Sequence, residues 1–230
     1  MKNALENVLQ KNQLNFRSVV DFNPAKEKLI KLDFSAANTE LTATDISETE
    51  NFSHYVSNKL KHAHAKFGIG GYNENRVLYK RSEIFNGEDP RVIHLGIDIW
   101  GAVGTKVHVP TGGVVHSFAF NNNFGDYGAT IILQHQLDTI LFYTLYGHLS
   151  LKDLSQLQEG KYVSRGETIG HFGEPKENGD WPPHLHFQII NDIRLNKGDY
   201  PGVSTLDESE KYLANCPDPD LILNLMQYAK

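Results

Sequence analysis

The chain has 230 residues, 40% of them hydrophobic and 10% aromatic, which suits one ordinary domain with a real core and disfavours disorder. A formal net charge of −6 leaves no basic excess to neutralise phosphates and argues against nucleic acid as a partner. The single cysteine, Cys216, excludes an intrachain disulfide framework and a cysteine-rich zinc site, so a metal would need histidines and carboxylates.

The N-terminus lacks a charged segment followed by an apolar run, and no stretch approaches the ~20 apolar residues of a membrane span. These features predict a protein with no membrane partner that works in the cytoplasm, with export by an unconventional route as the alternative. Residues 1–20 predict a weakly amphipathic helix with Ala4, Val8 and Leu5 on one side. Lys28–Phe34 predicts a short strand. Ser47 and Glu50 have capping-box spacing, and Phe52, Val56, Leu60, Ala63 and Phe67 follow at helical intervals until Gly68, Gly70 and Gly71 stop the helix. The segment 1–71 is expected to be a mixed helical extension without a large core of its own.

From Tyr72 the texture changes to short β-type runs punctuated by glycine. Strands are expected at 91–93, 97–100, 106–110, 113–120, 130–134, 141–146, 168–172 and 185–190, with a short helical pattern only at 149–157. That succession signals an all-β sandwich or barrel rather than βαβ units. Residues 121–126 and 174–180 are turn-forming loops long enough to wall a groove. The tail 206–230 is expected to be helical, with Asp218 as N-cap, Pro219 at the first helical position, and Leu221, Ile222, Leu225 and Met226 as its packing stripe.

Chemistry concentrates in three short runs. In Pro182-Pro183-His184-Leu185-His186-Phe187-Gln188-Ile189-Ile190, strand alternation places His184, His186 and Gln188 on one side and the apolar residues on the other. The two imidazoles then stand roughly 6.5–7 Å apart at the backbone. In His94-Leu95-Gly96-Ile97-Asp98 an extended chain puts His94, Gly96 and Asp98 on one side, the glycine leaving room for an ion. His94, Asp98 and one histidine of the His184/His186 pair make a two-histidine, one-carboxylate set, and three protein ligands plus a water is the composition of a catalytic zinc site. In Leu145-Tyr146-Gly147-His148-Leu149-Ser150 a histidine at a strand end is suited to acid–base work.

The run from His94 to Ile190 resembles the lysostaphin-like (LytM-type) zinc metallopeptidases, a family of peptidoglycan endopeptidases. The resemblance includes the three runs above together with Gly104-Thr105-Lys106-Val107, Gly112-Gly113-Val114-Val115, Gly160-Lys161-Tyr162-Val163 and Gly166-Glu167-Thr168-Ile169-Gly170. It implies a mainly β fold with a compact antiparallel sheet core at 91–190 and leaves both ends unexplained. With the local readings above, the expected organisation is a peptidase domain of 72–205 flanked by helical extensions at 1–71 and 206–230 (α+β overall). It implies one zinc ion per chain held by His94, Asp98 and His186, with His148 and His184 acting on the water and the tetrahedral intermediate. The expected activity is zinc-dependent cleavage of peptide bonds in peptidoglycan-type or other small-residue peptides, and peptidoglycan fragments are the expected partners. Tyr146 and Trp181 are expected to line the substrate groove. Trp181, in Gly179-Asp180-Trp181-Pro182-Pro183, departs from the small residues common in the family.

A rival reading is a metal-binding regulatory module whose groove is blocked. Asn73 and Glu74, just upstream of the peptidase-like segment, carry oxygens that could displace a zinc-bound water. The remaining histidines are expected to be structural or solvated: His62 and His64 diverge on a helix, His135 lies in a core strand, and His54, His108, His116 and His171 have no partner at telling spacing. Cys216 has no basic neighbour to activate it.

Overall fold

The computed structural model describes residues 3–41, 43–85 and 87–230. The chain begins with helix α1 (Ala4–Asn12), whose N-terminus is closed by a reciprocal pair, Asn3 Oδ1 accepting from Glu6 N and Glu6 Oε2 from Asn3 N. Its buried residues are Leu5 and Leu9, not the Ala4 and Val8 expected from spacing. Strand β1 (Leu29–Lys31) follows, then helices α2 (Ala43–Ser47) and α3 (Thr49–Ala63) and strand β2 (Phe67–Gly70). The β-rich part runs β3 (Ile93–His94), β4 (Ile97–Trp100), β5 (Lys106–His108), β6 (Gly113–Asn121), β7 (Gly128–Leu137), β8 (Ile140–Leu149), β9 (Tyr162–Val163), β10 (Thr168–His171), β11 (His184–Ile190) and β12 (Val203–Ser204). Two short helices close the chain, α4 (Ser209–Asn215) and α5 (Asp220–Leu223).

The protein is mainly β. Eight strands form one sheet in the order β1-β2-β4-β11-β8-β7-β6-β9, antiparallel throughout except for β1 against β2. Alternation decides what each strand presents. In β4, Ile97 and Ile99 enter the main core, and in β11 so do Leu185, Phe187 and Ile189. Asp98, Trp100, His184, His186 and Gln188 therefore share the opposite face.

Several expectations about the first 71 residues are corrected. Helix α3 ends at Ala63, capped by His64 in the left-handed region (φ 51°), before Phe67 is reached. Ser47 closes α2, and Glu48 takes the N-cap position of α3 without a side-chain cap bond, so the capping box does not form. The glycines read as helix stops lie in or beside strand β2, which pairs Gly68 with Trp100, Ile69 with Ile99 and Gly70 with Asp98. A side chain at Gly70 would run into the Leu32 carbonyl, so glycine is what lets the backbones approach. Leu5, Leu9, Val19, Val20, Leu29, Phe67 and Ile69 all belong to the main core. Far from standing outside the sheet, the segment supplies two of its strands. In the tail, Pro219 rather than Asp218 takes the N-cap position and helix α5 starts at Asp220, although Asp218 Oδ1 accepts from Asp220 N at 2.9 Å. No helix among the described residues is long and apolar enough to cross a membrane.

Phe67 is 2% exposed and its ring lies 6.5 Å from both Phe22 and Phe172. Phe67→Ala should lower unfolding free energy by about 3–5 kcal/mol, measured by urea denaturation. A loss under about 1 kcal/mol would contradict the integral role of β2.

Candidate functional site

The register of the central strands assembles the site. β11 pairs His186 with Asp98 and His184 with Trp100 on one side, and His186 with Gly147 on the other. His94 comes from β3, four residues before Asp98 in the chain. Gly96 between them is a packing requirement: a Cβ there would sit 2.5 Å from Cε1 of His186. The space expected for an ion is thus taken by the His186 imidazole.

Each imidazole of the trio is oriented from outside. His94 Nδ1 donates to the Gly71 carbonyl at 2.9 Å, which leaves Nε2 unprotonated. Gln188 donates its amide hydrogens to Pro201 O at 3.1 Å and Cys216 Sγ at 3.2 Å. Its carbonyl must therefore accept from His186 Nε2, 2.9 Å away, and His186 Nδ1 is the bare nitrogen. Two imidazole lone pairs and a carboxylate oxygen then converge with no proton between them. His94 Nε2 is 2.9 Å from His186 Nδ1, and Asp98 Oδ1 is 3.1 Å from His186 Nδ1 and 3.3 Å from His94 Nε2. Among the described residues His94, Asp98 and His186 form a buried group able to hold a metal ion. The residues fit one: a tetrahedral ion with bonds of ~2.0–2.1 Å puts its ligand atoms about 3.3 Å apart.

Charge and burial are consistent with that role. Burial, reinforced by the charge of Arg76, pushes the His94 pKa down to about 3, so it stays a neutral donor. Burial alone would raise Asp98, but His94 and Arg76 outweigh it and hold the carboxyl well below the usual range. Arg76 itself is buried and ion-paired to Asp98 Oδ2.

His148 and His184 stand beside the trio. His148 adopts the left-handed backbone conformation (φ 61°), a local strain that appears where a side chain must be aimed. Gly147 before it is needed because a Cβ would meet the Tyr127 ring at 2.6 Å. His148 Nδ1 donates to Asn178 O and His184 Nδ1 to Pro182 O, both at 2.7 Å. Each Nε2 is left as a proton acceptor. His184 is stacked between Trp100 (centroids 3.9 Å apart) and His148 (4.0 Å). Burial lowers the His184 pKa to about 4, and burial together with His184 lowers His148 well below its usual value.

The cleft above these groups is walled by Tyr79, Phe85 and Arg91 on one side and by Tyr127, Trp181 and Tyr200 on another. Trp181 lines it as expected, its Nε1 donating to Asp126 O at 3.3 Å. Tyr146 does not. Its parity sends it to the other face, where it packs on Phe187 and accepts a hydrogen bond from Thr144 at 3.0 Å. Asn73 is exposed, and Glu74 is occupied by Arg76 Nε at 2.7 Å and the Phe34 amide at 3.4 Å; neither joins the trio. His135 is core, bonded to Gly112 O and Thr144. His54, His62 and His64 are exposed, His108 and His171 bond Thr168 and Asp153, and His116 bonds Ser117. The sequence reading missed Trp100 and Arg76. Trp100 had a signal, lying two residues beyond Asp98 on the same strand face. Arg76 had none.

The fold and site define a class: an antiparallel β-sheet protein carrying a buried two-histidine, one-carboxylate trio flanked by two neutral histidines. The comparison with family models matches residues 92–198 to peptidase family M23. The catalytic domain of the antimicrobial peptidase lysostaphin from Staphylococcus simulans is 22% identical, over 70% of this chain and 96% of that one, with a TM-score of 0.42. A zinc-containing peptidase from Vibrio cholerae is 23% identical over 52% of this chain, with a TM-score of 0.37. Helicobacter pylori Csd3, in its orthorhombic crystal, is 25% identical over 54% of this chain, with a TM-score of 0.35. The chain spans about a third of the latter two, 31% and 32%. No curated protein matches the chain.

If Gln188 sets the His186 tautomer, Gln188→Met should weaken metal binding ~10–100-fold, while Gln188→Glu, which keeps an acceptor, should largely retain it. Competition with a chromogenic chelator measures both. Equal affinities in Gln188→Met and wild type would remove Gln188 from the site.

Proposed function

We propose that the protein is a zinc-dependent metalloendopeptidase acting on peptidoglycan-type or other small-residue peptides, with His94 Nε2, Asp98 Oδ1 and His186 Nδ1 as the metal ligands. The observation that carries this reading is the convergence of three unprotonated donors in a buried pocket, a cluster that only a cation can satisfy. Zinc bound there would supply the Lewis acidity that lowers the pKa of its water towards ~7 and polarises a scissile carbonyl.

The chain's own residues do the remaining work. His148 and His184, neutral and with Nε2 free, can accept the proton of the attacking water. Once protonated, the accepting ring becomes the donor that the leaving amine needs. With its Nδ1 committed to a backbone carbonyl, the other ring can stabilise developing charge on the carbonyl oxygen only when it carries a proton on Nε2, as an imidazolium. Their Nδ1 bonds to Asn178 O and Pro182 O fix the ring orientations, and Trp100 holds His184 in plane. Trp181 and Tyr127 restrict the cleft to a narrow peptide and limit water entry.

His94→Ala and Asp98→Ala should each lose most bound zinc by elemental analysis. His148→Ala and His184→Ala should keep the metal and lose about 10²–10⁴-fold in peptide hydrolysis. Full zinc occupancy in both ligand variants, or loss of metal from either acid–base variant, contradicts the assignment.

One observation favours a second reading, a site held closed. The most exposed of the five residues, His148, is only 6% accessible, and the wall made by Tyr79, Phe85 and Arg91 comes from upstream of the family-matched segment. Under this reading Phe85→Ala should raise hydrolysis of a short peptide several-fold without changing zinc content. An unchanged or lower rate would favour an open, working groove.

A further inference from the structure

Asp98 is gripped from two sides. Oδ1 faces the bare nitrogens of His94 and His186, while Oδ2 is ion-paired to Nη1 of Arg76. Arg76 is 1% exposed, so this pair lies almost wholly out of water. Its guanidinium is fixed in place: Nε donates to Glu74 Oε2 at 2.7 Å, Nη1 reaches Tyr79 Oη at 3.4 Å, and the group lies over the Phe34 ring, 5.6 Å from its centroid. The backbone is tied as well, Arg76 N donating to Val92 O at 2.9 Å and Val77 N to Phe34 O at 3.0 Å. Nη2 is also buried and has no hydrogen-bond partner among the described residues. Nε and Nη1 carry the hydrogen bonds, and together with them the guanidinium brings a buried positive charge to Asp98.

The local charges explain why charge is needed. Glu74, Arg76 and Asp98 sum to one negative charge with the imidazoles neutral. A divalent ion on the trio turns that into one positive charge. Without Arg76 the metal-free pocket would hold the buried Asp98 carboxylate, with the partly buried Glu74 beside it, and no counter-ion in contact. Such a site would open or draw in water, because an isolated buried charge is not tolerated. With Arg76 on Oδ2, only Oδ1 is available, and it already points at the histidines.

We propose that Arg76 is a positioning residue, a built-in counter-cation that holds Oδ2 of Asp98 and keeps Oδ1 aimed at the two histidines so that the metal-free protein retains a formed site, at the expense of some metal affinity. The inference rests on the metal-site reading above. It deepens that reading by assigning part of the centre to a residue outside the family-matched segment 92–198. Like charges a few ångströms apart in a poorly solvated pocket repel strongly, so removing Arg76 should help the ion and harm the metal-free protein.

The test uses the full chain as wild type, Arg76→Met, Arg76→Lys and the charge-balanced pair Glu74→Gln with Arg76→Met. Thermal unfolding is recorded with chelator and with saturating zinc, and zinc affinity is measured by chelator competition. Arg76→Met should unfold at markedly lower temperature without zinc, lose much less of that stability with zinc, and bind zinc about tenfold more tightly. Arg76→Lys, which keeps the charge, should stay close to wild type in affinity. Should Arg76→Met fail to fold, Arg76→Gln, which also removes the cation but keeps a polar end, carries the same expectation of tighter zinc. The charge-balanced pair, whose local sum stays at one negative charge, should stay near wild type in affinity. Equal destabilisation with and without zinc, or an unchanged or weaker zinc affinity, reduces Arg76 to a structural anchor and overturns the proposal. A wild-type protein that binds no zinc would instead overturn the metal-site reading itself.

Discussion

The buried carboxylate of Asp98 is the constraint around which the rest is arranged. An ionised group with so little access to water must be met by charge or hydrogen bonds on every side. Here Oδ2 is met by Arg76, whereas Oδ1 faces the inner nitrogens of two imidazoles whose outer nitrogens are donors to Gly71 O and Gln188 Oε1. Those outer bonds leave the inner faces without protons. The result is a pocket of converged lone pairs whose demand for a cation is set by the surrounding hydrogen bonds, not only by the three ligand-type residues themselves.

Sheet parity delivers these groups. Because neighbouring strands are in fixed register, placing Ile97 and Ile99 in the core obliges Asp98 and Trp100 to face the cleft, and Leu185, Phe187 and Ile189 do the same for His184, His186 and Gln188. The hydrophobic core thereby aims the polar site: a one-residue slip of β11 would bury the histidines among aliphatic side chains and expose Phe187. Local backbone exceptions refine the aim. His148 takes a left-handed conformation, and Gly96 and Gly147 give up side chains so that His186 and Tyr127 can approach.

The upstream segment is more closely bound to the site than its position in the chain suggests. Strand β2 lies directly against β4, with Gly70 opposite Asp98. Gly71 orients His94, and Arg76 balances Asp98. Tyr79 and Phe85 add a wall to the cleft. An aromatic cluster of Phe34, Phe52, Trp100 and Trp181 joins this segment to the groove, so that substitutions in helix α3 or strand β1 would be felt at the histidines.

Much of this was legible from local pattern. Period-two alternation in 184–190, the extended reading of 94–98 and the glycine-punctuated strands follow from residue type and spacing, because strand faces are decided by near neighbours in the chain. The single cysteine likewise confined any metal to histidine and carboxylate. The first 71 residues were misread for the same reason: a glycine-rich run after a helix looks like a stop, and only its long-range pairing with β1 and β4 makes it a strand. Tyr146 was expected in the groove, yet its pairing with Phe187 carries it into the core, and the left-handed backbone at His148 breaks the alternation that would otherwise put the two on one side. Sequence alone determined which side chains could serve as ligands and acid–base groups. Only the tertiary structure decided which nitrogens face inward, what balances Asp98 and what walls the cleft, because those depend on contacts between segments far apart in the chain, whose geometry no local pattern encodes.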